Sequence, residues 1–497
     1  MEVPGFVGGS YESQATNADQ ERTINLYPET ASPPGSTAKP ALLPTPGVEL
    51  IVATVGFTHE GRAHFYMDGR EFAVVGNSFV EIFEDGTKII RDGMTLTGYQ
   101  YNPVPCTISS NGDAGGELFI TKDRGAFIYT LATNLLAAAP SGIDGVADHG
   151  GYLDGYFLGL DTTSGTFYIS NLFDGTTWDT GTDFAQRSLA PDPWKSMIVS
   201  GRDVWLFGEQ TSEIWQNTGG TFPFAPLVDH VTNFGIAAQW SAANLGDSVC
   251  WLARTPEGRI CVVHASGVTP EIISTPALEY ALSKFSFASI DGAIAYSYSE
   301  SGHTFYVLNF DAEDATWVWD ATEGIWHERG SWATTSGKFL SWRARYPAYA
   351  FGELRILDWK AEGLYRMNST LTVDIEGNTL RRLRRVPALV GENKRIFYPD
   401  FELDLDAGLG LTDNRSDPDD PAVQGSDPQV MLRFSDDGGK TWSNEHWRSA
   451  GKIGEYGRRV RWNRLGAARR RVWEVSMSDP IPWRLNNAYT QAIPESA

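Results

Sequence analysis

Residues 62–91 carry the pattern that decides the fold: RAHFYMDGREFAVVGNSFVEIFEDGTKIIR. Four short runs rich in apolar residues are separated by Asp68-Gly69, Gly76-Asn77 and Asp85-Gly86. These dipeptides tolerate the positive φ angles that two-residue hairpin turns require. Four antiparallel strands within about 30 residues, joined in sequence order, have the size of one blade of a β-propeller. The stretch therefore predicts an all-β protein built from such blades.

Comparable groups of strands recur at intervals of roughly 45 residues, which is within the blade sizes known for propellers. Their letters differ, so the repeat is one of pattern and not of identity. Six or seven blades are predicted over residues 56–380, and an open series of β-sandwiches is the alternative. One short helix is predicted over Pro276–Lys284, with proline in its first turn. The further strand groups lie at Glu117–Leu131, Tyr152–Trp178, Val204–Gln216, Ser248–Ile273, Ala293–Glu328 and Arg345–Met367.

The balance of charge changes near residue 380. Up to this point the chain carries 21 Lys and Arg against 45 Asp and Glu, a net charge of −24. From residue 381 onward, 19 basic residues face 17 acidic ones, a net charge of +2. Such a shift indicates a separate C-terminal unit with a different partner. The alternation of Phe397, Phe401, Leu403 and Leu405 with acidic residues predicts a half-buried strand over Arg395–Asp406.

Arginines mark both the start and the end of the C-terminal unit. Arg381, Arg382, Arg384 and Arg385 stand at its boundary and are predicted to contact a partner, because the planar guanidinium binds carboxylates through two hydrogen bonds. A second group follows residue 456, interleaved with apolar residues. We favour pairing of this group with acidic faces of the same unit or of a neighbouring subunit over contact with nucleic acid. It comprises Arg458, Arg459, Arg461, Arg464, Arg469, Arg470 and Arg471.

Residues 1–55 are predicted to form an extended N-terminal arm. Prolines fix φ and remove amide donors, so residues 29–47 should be extended and should not join a central strand. Such an arm would become ordered on its own domain or on a neighbouring subunit. Deleting residues 1–45 would then leave a folded monomer that assembles poorly. The prolines are Pro33, Pro34, Pro40, Pro44 and Pro46.

The composition argues against several classes of protein. A net charge of −22 and an isoelectric point near 4.8 describe a surface that repels the nucleic-acid backbone. Cys106, Cys250 and Cys261 are too few and too widely spaced for a disulfide framework or a cysteine-rich zinc site, and they fit folding in a reducing cytosol. The N-terminal residues show no secretion signal, and no apolar stretch approaches the roughly 18 residues that suggest a membrane span.

Residues 435–442, SDDGGKTW, match the pattern S-x-D-x-G-x-T-W, which is called an Asp box. Sialidases carry several copies of this hairpin in their propellers, whereas only one copy is recognised here. In the hairpin the aspartate accepts backbone hydrogen bonds, the glycines allow a tight bend and the tryptophan packs beneath. We therefore interpret Ser435, Asp437, Gly439 and Trp442 as a structural turn.

No catalytic, cofactor-binding or metal-binding residues are predicted. The eight histidines do not fall in the spacings of zinc enzymes, and His327 is interpreted as a polar strand residue that faces a neighbour. Neither a nucleophile elbow nor a Walker loop occurs. Acidic residues are abundant, but no pair carries a signature of a glycoside hydrolase. The Asp-rich segment 413–427 lacks the spacing of an EF-hand and is predicted to be an exposed loop.

Several stretches, taken in their order along the chain, resemble one known family. They are Asn25–Glu29 (NLYPE), Val204–Gly219, Ile273–Thr275 with Glu279-Tyr280, Gly302–Phe310, Thr316–Asp320, Trp326–Arg329, Leu432–Trp442 and Gly451–Gly457. No single piece is specific, but the ordered set resembles the tail nozzle proteins of short-tailed bacteriophages, also called packaged-DNA stabilisation or tail hub proteins. The resemblance spans nearly the whole chain.

The resemblance implies a non-enzymatic structural protein of the virion tail. Proteins of this family form a ring, commonly six-fold, below the portal and its adaptor. The ring prolongs the DNA channel, helps to retain the packaged genome and carries fibres, spikes or a needle. The implied partners are further copies of the chain, the portal–adaptor complex and the distal tail parts. Duplex DNA would pass through the lumen without specific binding, and assembly would take place in the host cytoplasm.

Taken together, the sequence predicts an N-terminal arm (1–55), a β-propeller of six or seven blades (56–380) and a C-terminal β-sandwich platform (381–497). An acidic propeller suits a conduit, because cationic walls would hold the duplex through counterion release. Two alternatives stay open. A glycan-binding module for host attachment predicts exposed aromatic residues with convergent polar groups. A sialidase-like glycoside hydrolase predicts a carboxylate pair in a propeller pocket.

Overall fold

The computed structural model describes residues 1–15, 19–30, 39–52, 59–91, 104–186, 189–228, 230–390, 394–415 and 422–494. Within these ranges the regular secondary structure is almost entirely β-strand. The described helices are α1 (Gly112–Gly115), α2 (Pro276–Leu282), α3 (Phe287–Asp291) and a 3₁₀ turn at Asp311–Glu313. None of them is long and apolar enough to cross a membrane. The three cysteines are free and buried.

The N-terminal segment contributes five strands, which take part in three different sheets. They are β1 (Tyr11–Glu12), β2 (Gln20–Ile24), β3 (Leu26–Glu29), β4 (Ala41–Pro44) and β5 (Gly47–Val52).

Within the described residues seven antiparallel blades form the propeller, and in most of them strands that are consecutive along the chain are neighbours in the sheet. The strands of blades 1 to 4 are β6 (Gly61–Met67), β7 (Arg70–Val75), β8 (Ser78–Ile82), β9 (Lys88–Ile90); β10 (Thr107–Ser110), β11 (Glu117–Lys122), β12 (Gly125–Thr130), β13 (Leu135–Ala138); β14 (His149–Leu153), β15 (Tyr156–Asp161), β16 (Thr166–Ile169), β17 (Phe184–Gln186); and β18 (Ser196–Ser200), β19 (Asp203–Phe207), β20 (Ser212–Asn217), β21 (Phe224–Pro226). Blades 5 to 7 comprise β22 (Gly235–Ile236), β23 (Ala243–Leu245), β24 (Ser248–Arg254), β25 (Ile260–Ser266), β26 (Thr269–Ile272); β27 (Ile294–Glu300), β28 (His303–Phe310), β29 (Ala315–Asp320), β30 (Ile325–Glu328); and β33 (Ala344–Ala350), β34 (Glu353–Asp358), β35 (Leu364–Asn368), preceded by a hairpin of β31 (Ser331–Ala333) and β32 (Lys338–Leu340).

Contacts between the inner strands of neighbouring blades close the propeller into a ring. The inner strands contact one another in the order β6, β10, β14, β18, β23, β27, β33, and β33 returns to β6. The outer position of blade 7 is filled by β5, which pairs with β35. Blade 7 therefore combines β5, which precedes the propeller segment, with three strands from the C-terminal end of that segment. The hydrogen bonds between β5 and β35 close the ring in addition to the continuous chain.

The apolar core consists of separate clusters that follow the arrangement of the blades. Seven clusters of buried side chains lie between neighbouring blades, and one further cluster fills the C-terminal unit. The contact between blades 7 and 1, for example, buries Leu357 and Leu364 against Val80 and Ile82. The all-β, propeller-plus-sandwich prediction is confirmed, and the blade number is seven.

Local signals in the sequence produced the expected local structures. Asp68, Gly69 and Gly76 adopt φ angles of 47°, 76° and 54° at the predicted hairpin turns of blade 1. Helix α2 begins at Pro276, where the Thr275 hydroxyl accepts a hydrogen bond from the amide of Leu278 at 3.2 Å. Proline fits the first turn because its missing amide would have no partner there.

The C-terminal unit is a β-sandwich. Its strands are β36 (Arg382–Arg385), β37 (Leu389–Val390), β38 (Ile396–Phe397), β39 (Asp400–Leu405), β40 (Gln429–Ser435), β41 (His446–Ser449), β42 (Val460–Asn463), β43 (Ala467–Ala468), β44 (Arg470–Met477), β45 (Leu485–Thr490) and β46 (Ile493–Pro494). One layer runs β36-β44-β40-β41, and the other runs β3-β4-β45-β39-β42. Trp473 and Phe401 face each other between the layers, with ring centroids 4.9 Å apart.

The prediction of a separate N-terminal arm is wrong for the described residues. Strand β2 is a central strand, with β30 on one side and β36 on the other. Val3, Phe6, Leu26 and Leu42 are buried in the sandwich core. The proline argument failed because Pro44 ends β4, where a missing amide donor is tolerated, and β2 itself contains no proline. Pro33 and Pro34 lie outside the described residues.

Candidate functional site

Strand β2 joins the two units of the protein into one continuous sheet. Ile24 pairs with Glu328 of β30 in parallel register, and Arg22 pairs with Arg385 of β36 in antiparallel register. The resulting path runs β27-β28-β29-β30-β2-β36-β44-β40-β41, from the propeller centre to the edge of the sandwich. An interface made of sheet hydrogen bonds and buried side chains permits little relative motion of the two units.

Asn25 makes the sharp turn that follows β2. Its φ angle is 56°, a left-handed conformation that asparagine tolerates better than most residues. Its side-chain amide donates to the carbonyls of Gly330 and Arg381, both at 2.8 Å, and its Oδ1 accepts from the amide of Gly330 at 3.1 Å. One buried side chain thus ties the N-terminal segment, the end of blade 6 and the start of the sandwich together.

The four arginines predicted to contact a partner lie at this junction and bind within the chain. Arg382 and Arg384 are fully buried, and Arg385 is 8% exposed. Arg382 donates to the carbonyl of Ile481 at 2.9 Å, and Arg381 to Glu445 Oε1 at 3.0 Å. Their proposed use as a partner surface is therefore wrong for Arg382 and Arg384, because β36 is covered on both faces.

Arg384 organises the backbone of the first residues. Its Nε donates to the carbonyl of Phe6 at 2.7 Å, and its Nη1 donates to the carbonyl of Gly9 at 2.8 Å. Its Nη2 also reaches the carbonyl of Gly5 and the carboxylate of Glu21. Burial lowers the pKa of the Arg384 guanidinium, an effect that the nearby Glu21 carboxylate opposes.

A buried carboxylate balances the charge at the sandwich side of the junction. Glu474 accepts from Arg385 Nε at 2.9 Å and from Arg433 Nε at 2.5 Å. Burial alone would raise the pKa of this carboxyl, but the two guanidinium groups hold the pKa below its ordinary value. A second pair, Arg22 Nε to Glu328 Oε1 at 3.0 Å, links β2 to blade 6.

His327 is a strand residue, on β30 beside the junction, and it is fully buried against neighbouring side chains. Its ring lies 5.8 Å from Phe305 and 6.3 Å from Tyr27, centroid to centroid. Neither ring nitrogen has a hydrogen-bond partner within the described ranges. Burial lowers the pKa of His327 to about 3, so the folded protein holds this imidazole neutral.

Stability is expected to fall as the pH drops below about 6.5, in part because of His327. The unfolded chain protonates this imidazole near its ordinary pKa, whereas the folded chain does so only near a pKa of about 3, so acid favours unfolding. One such group contributes a slope of about 1.4 kcal/mol per pH unit. His327→Leu should reduce the acid-side slope of the unfolding free energy by about this amount, measured by denaturant titration. His230→Leu, at an exposed position, serves as the control; an unchanged slope in the His327 variant would contradict the assignment.

The Asp-box residues form a hydrogen-bonded turn between β40 and β41. Asp437 Oδ1 accepts from the amides of Lys440 at 3.0 Å and Thr441 at 2.9 Å, and the Ser435 hydroxyl accepts from the amide of Gly439 at 2.8 Å. The hydrogen bonds from Thr441, by side chain and backbone, hold the pKa of Asp437 far below its ordinary value. All of these contacts stay inside the turn, as a structural role requires.

Trp442 connects this turn to the junction. Its indole nitrogen donates to the carbonyl of Gly439 at 3.1 Å. The guanidinium carbons of Arg385 and Arg433 lie 4.8 and 4.7 Å from its ring centroid. The half-buried ring therefore covers the two arginines that neutralise Glu474.

A related turn, which the Asp-box pattern does not identify, lies in blade 3 between β16 and β17. There the indole nitrogen of Trp178 donates to the carbonyl of Gly175 at 2.7 Å, which is the bond that Trp442 makes to Gly439. Asp174 accepts from the Thr176 amide at 2.9 Å. The pattern was missed because Phe173 stands where the motif requires aspartate, although Gly175, Thr177 and Trp178 keep its spacing.

The inner strands surround a central cavity of about 610 Å³. Its described lining contains neither Asp, Glu, Lys nor Arg, although the propeller segment as a whole is strongly acidic. His149 in the wall accepts a hydrogen bond from Gln239 Nε2 at 3.0 Å, and burial lowers the pKa of its imidazole to about 3. The described lining therefore contributes no acidic side chain and neither Lys nor Arg, and Tyr152 and Trp240 supply aromatic walls.

The described residues contain no group of three or more His, Cys, Asp or Glu side chains that could hold a metal ion. Residues 416–421 of the Asp-rich segment 413–427 lie outside the described residues. At the described beginning of the segment, Arg415 Nε lies 3.2 Å from Asp413 Oδ2.

Comparison with known families covers nearly the whole chain. Residues 1–372 match a family described as bacteriophage P22 Gp10, beta-propeller, and residues 381–492 match one described as bacteriophage P22 Gp10, beta-sandwich. A comparison with curated proteins gave no match. Among solved structures, streptogramin B lyase is similar with 8% identity, covering 65% of this chain and 98% of its own, at a TM-score of 0.41. YCF48 from Cyanidioschyzon merolae has 10% identity, covers 65% of this chain and 98% of its own, and has a TM-score of 0.39.

Proposed function

The chain belongs to the bacteriophage P22 Gp10 family and is a structural protein of a phage tail, and from this premise we propose that it forms the nozzle of a short-tailed virion. In this proposal several copies, six by analogy with similar proteins, build a ring below the portal–adaptor complex. The ring extends the DNA channel, retains the packaged genome, supports its ejection and carries the distal fibres, spikes or needle. The protein catalyses no reaction.

The observation that carries the proposal is the unbroken sheet through β2. A wall around packaged DNA bears load, and a protein with a flexible linker between its units would deform under it. Here the chain crosses between the units within a sheet, and the crossing is fixed by Asn25, Arg384 and Glu474. The seven-bladed propeller is a further rigid part of the same wall.

The distribution of charge supports the role of a conduit. A net charge of −24 over residues 1–380 makes the propeller surface unfavourable for the phosphate backbone. A duplex can then slide past, because the acidic surface does not bind it through counterion release. The C-terminal unit, with a net charge of +2, is better suited to contacts with acidic protein surfaces.

The central cavity is where the two alternative functions would act. Its described lining supplies no carboxylate pair for a sialidase-like mechanism. Its neutral aromatic wall is the place where a glycan would bind in the host-attachment alternative. Measurable oligosaccharide binding that is lost in Trp240→Ala would favour that alternative over the nozzle.

Electron microscopy and DNA binding of the purified full-length protein test the proposal together. We expect closed rings and no salt-sensitive binding to a duplex of about 30 base pairs, because the acidic surface offers few sites for counterion release. Binding would be followed by mobility shift at about 50 and 200 mM salt. A protein that stays monomeric at all concentrations, or that grips duplex tightly at the lower salt, would contradict the nozzle assignment.

A further inference from the structure

A lysine with a fully buried side chain lies between blades 1 and 2. Lys122 is the last residue of β11 in blade 2, and its Nζ donates to Asn77 Oδ1 at 2.6 Å. Asn77 belongs to blade 1, where it is half-buried in the turn between β7 and β8. Lysine is almost never fully buried without a partner. Here the side chain in contact with the buried amine is an amide.

Two corresponding hairpin turns bring this pair together. Gly76 and Asn77 connect β7 to β8 in blade 1, and Asp123 and Arg124 connect β11 to β12 in blade 2. Each turn joins the second and third strands of its blade. Gly76, Asp123 and Arg124 adopt positive φ angles of 54°, 48° and 70°, as tight hairpins require. The contact between Lys122 and Asn77 is therefore anchored by regular hairpins on both sides.

The surroundings of Lys122 favour the neutral amine. Asp123 Oδ2 lies 3.8 Å from Lys122 Nζ, whereas Asp123 Oδ1 accepts from Arg62 Nη2 at 2.8 Å. Burial, together with the nearby Arg62 guanidinium, lowers the pKa of Lys122 to about 8. A lysine that is desolvated beside another cation has the activated amine that nucleophilic chemistry requires.

An ordinary ion pair does not account for the contact. A buried lysine that is kept for its charge needs a carboxylate in good geometry. Blades 2 and 3 are linked in that way, since Arg124 Nη2 lies 3.2 Å from Asp161 Oδ1. Asn77 is neutral and does not compensate the charge of Lys122, but the carbon of its side-chain amide is an electrophile.

The amide carbon of Asn77 is within reach of the amine. Cγ is bonded to Oδ1 at about 1.2 Å, so it lies within about 4 Å of Lys122 Nζ. The terminal torsion of asparagine is broad, and rotation about it turns the face of the amide toward Nζ. Reacting atoms that are held about 3–3.5 Å apart have already lost most of the freedom that a reaction would cost. Burial of Lys122 also keeps water away from the amine.

We propose that Lys122 and Asn77 react with each other to form an isopeptide bond that links blade 1 to blade 2. Asp123 accepts a proton from the Lys122 ammonium, and the neutral Nζ attacks Cγ of Asn77. The bond between Nζ and Cγ forms, and the bond between Cγ and Nδ2 of Asn77 breaks. Of the three protons on Nζ, one stays on the new amide and two leave with Nδ2 as ammonium. Atoms and charge therefore balance without a further reactant.

The isopeptide bond would strengthen the propeller. A covalent cross-link closes a loop of the chain and restricts the unfolded ensemble, so it opposes separation of the two blades. Without the bond, blades 1 and 2 are held by the apolar cluster between them and by polar contacts such as that of Arg62 with Asp123. The reaction needs only one copy of the chain, so it does not rest on the nozzle assignment.

Mass spectrometry of the purified full-length protein tests the bond. We expect an intact mass that is lower than the sequence mass by one ammonia. Trypsin does not cleave after an acylated lysine, so the digest should contain a branched peptide in which residues 71–88 are joined to residues 92–124. Lys122→Arg keeps the positive charge but forms no such amide, and this control should have its full mass and no branched peptide. A wild-type mass equal to the sequence mass would overturn the proposal, as would a loss of ammonia without the branched peptide, which a cyclic imide at Asn77 would give.

A second variant tests the role of Asp123. Asp123→Asn keeps an oxygen that accepts from Arg62 and tolerates the positive φ of this turn, but it does not take up a proton. After a pulse of synthesis, the branched peptide should accumulate at least about a hundredfold more slowly than in wild type, the usual effect of losing a general base. Equal near-ultraviolet circular dichroism of the two proteins excludes misfolding. Equal rates of accumulation would overturn the assignment of Asp123 as the proton acceptor.

Discussion

A chain that lacks residues 1–45 is expected to lose its native fold, and not only its ability to assemble. The deletion removes β2 from the middle of a sheet, where it bonds to β30 on one side and β36 on the other. It also removes β3 and β4 from the second layer of the sandwich. Two sheets are then left with open edges, and open edges promote aggregation.

The deletion also removes the hydrogen-bond and ion-pair partners of buried charged side chains. Arg384 loses the carbonyls of Gly5, Phe6 and Gly9 and the carboxylate of Glu21. Glu328 loses Arg22. Because removing one partner of a buried pair typically costs about 3–5 kcal/mol, the loss at Arg384 alone is comparable to much of the stability of an ordinary domain.

Gel filtration and near-ultraviolet circular dichroism measure the result. We expect aggregated protein without a cooperative melting transition. A protease site inserted between residues 52 and 59 provides the control, since cleavage there keeps all five N-terminal strands. The cleaved protein should remain one particle with the melting temperature of the intact chain. A soluble, cooperatively folding truncation would show that the N-terminal segment is dispensable for folding.

Local features of the fold could be predicted because their causes are local. The turns at Asp68-Gly69 and Gly76-Asn77 depend on which residues tolerate positive φ, and Asp68, Gly69 and Gly76 adopt it. The role of β2 could not be predicted in this way. Its sequence, QERTI, has little apolar character, and its partners Glu328 and Arg385 lie about 300 and 360 positions further along the chain. Strand pairing over such distances depends on how the two units pack against each other. A short stretch of sequence carries no information about that packing.

The same distinction applies to the functional residues. The Asp-box turn is defined by contacts among Ser435, Asp437, Gly439 and Trp442, so a short motif was enough to recognise it. Arg382 and Arg384 looked like a surface cluster because burying arginine requires partners, and those partners are backbone carbonyls. Every residue has a backbone carbonyl, so a sequence does not show which carbonyls will bind a buried arginine.

Arg384→Met should lower the free energy of unfolding by about 3–5 kcal/mol, the usual cost of breaking a buried charged contact. Methionine fills much of the space of the arginine stem but donates no hydrogen bond. The buried carbonyl of Phe6 would then lack the donor that now satisfies it, and the less buried carbonyls of Gly5 and Gly9 would each lose a donor, although Gly9 keeps the hydroxyl of Thr23 at 3.1 Å. Residues 5–9 should also become more sensitive to proteases, because Arg384 binds the backbone carbonyls of Gly5, Phe6 and Gly9. Arg469→Met, at an exposed arginine, should change stability by less than about 0.5 kcal/mol.

A second substitution separates two causes of the lost stability, namely the unpaired carboxylate of Glu21 and the backbone carbonyls left without a donor. Without Arg384, Glu21 becomes a partly buried carboxylate with no opposite charge, a state in which its already raised pKa would rise further. Glu21→Gln added to Arg384→Met removes that charge but leaves the carbonyls unsatisfied. If the double variant regains most of the stability, the unpaired carboxylate is the main cost. If it regains little, the backbone carbonyls account for the loss, and Arg384 acts as a structural clamp for the chain entering β2. The second outcome is expected, because Arg384 contacts three carbonyls and only one carboxylate, and Glu21 can still turn toward solvent.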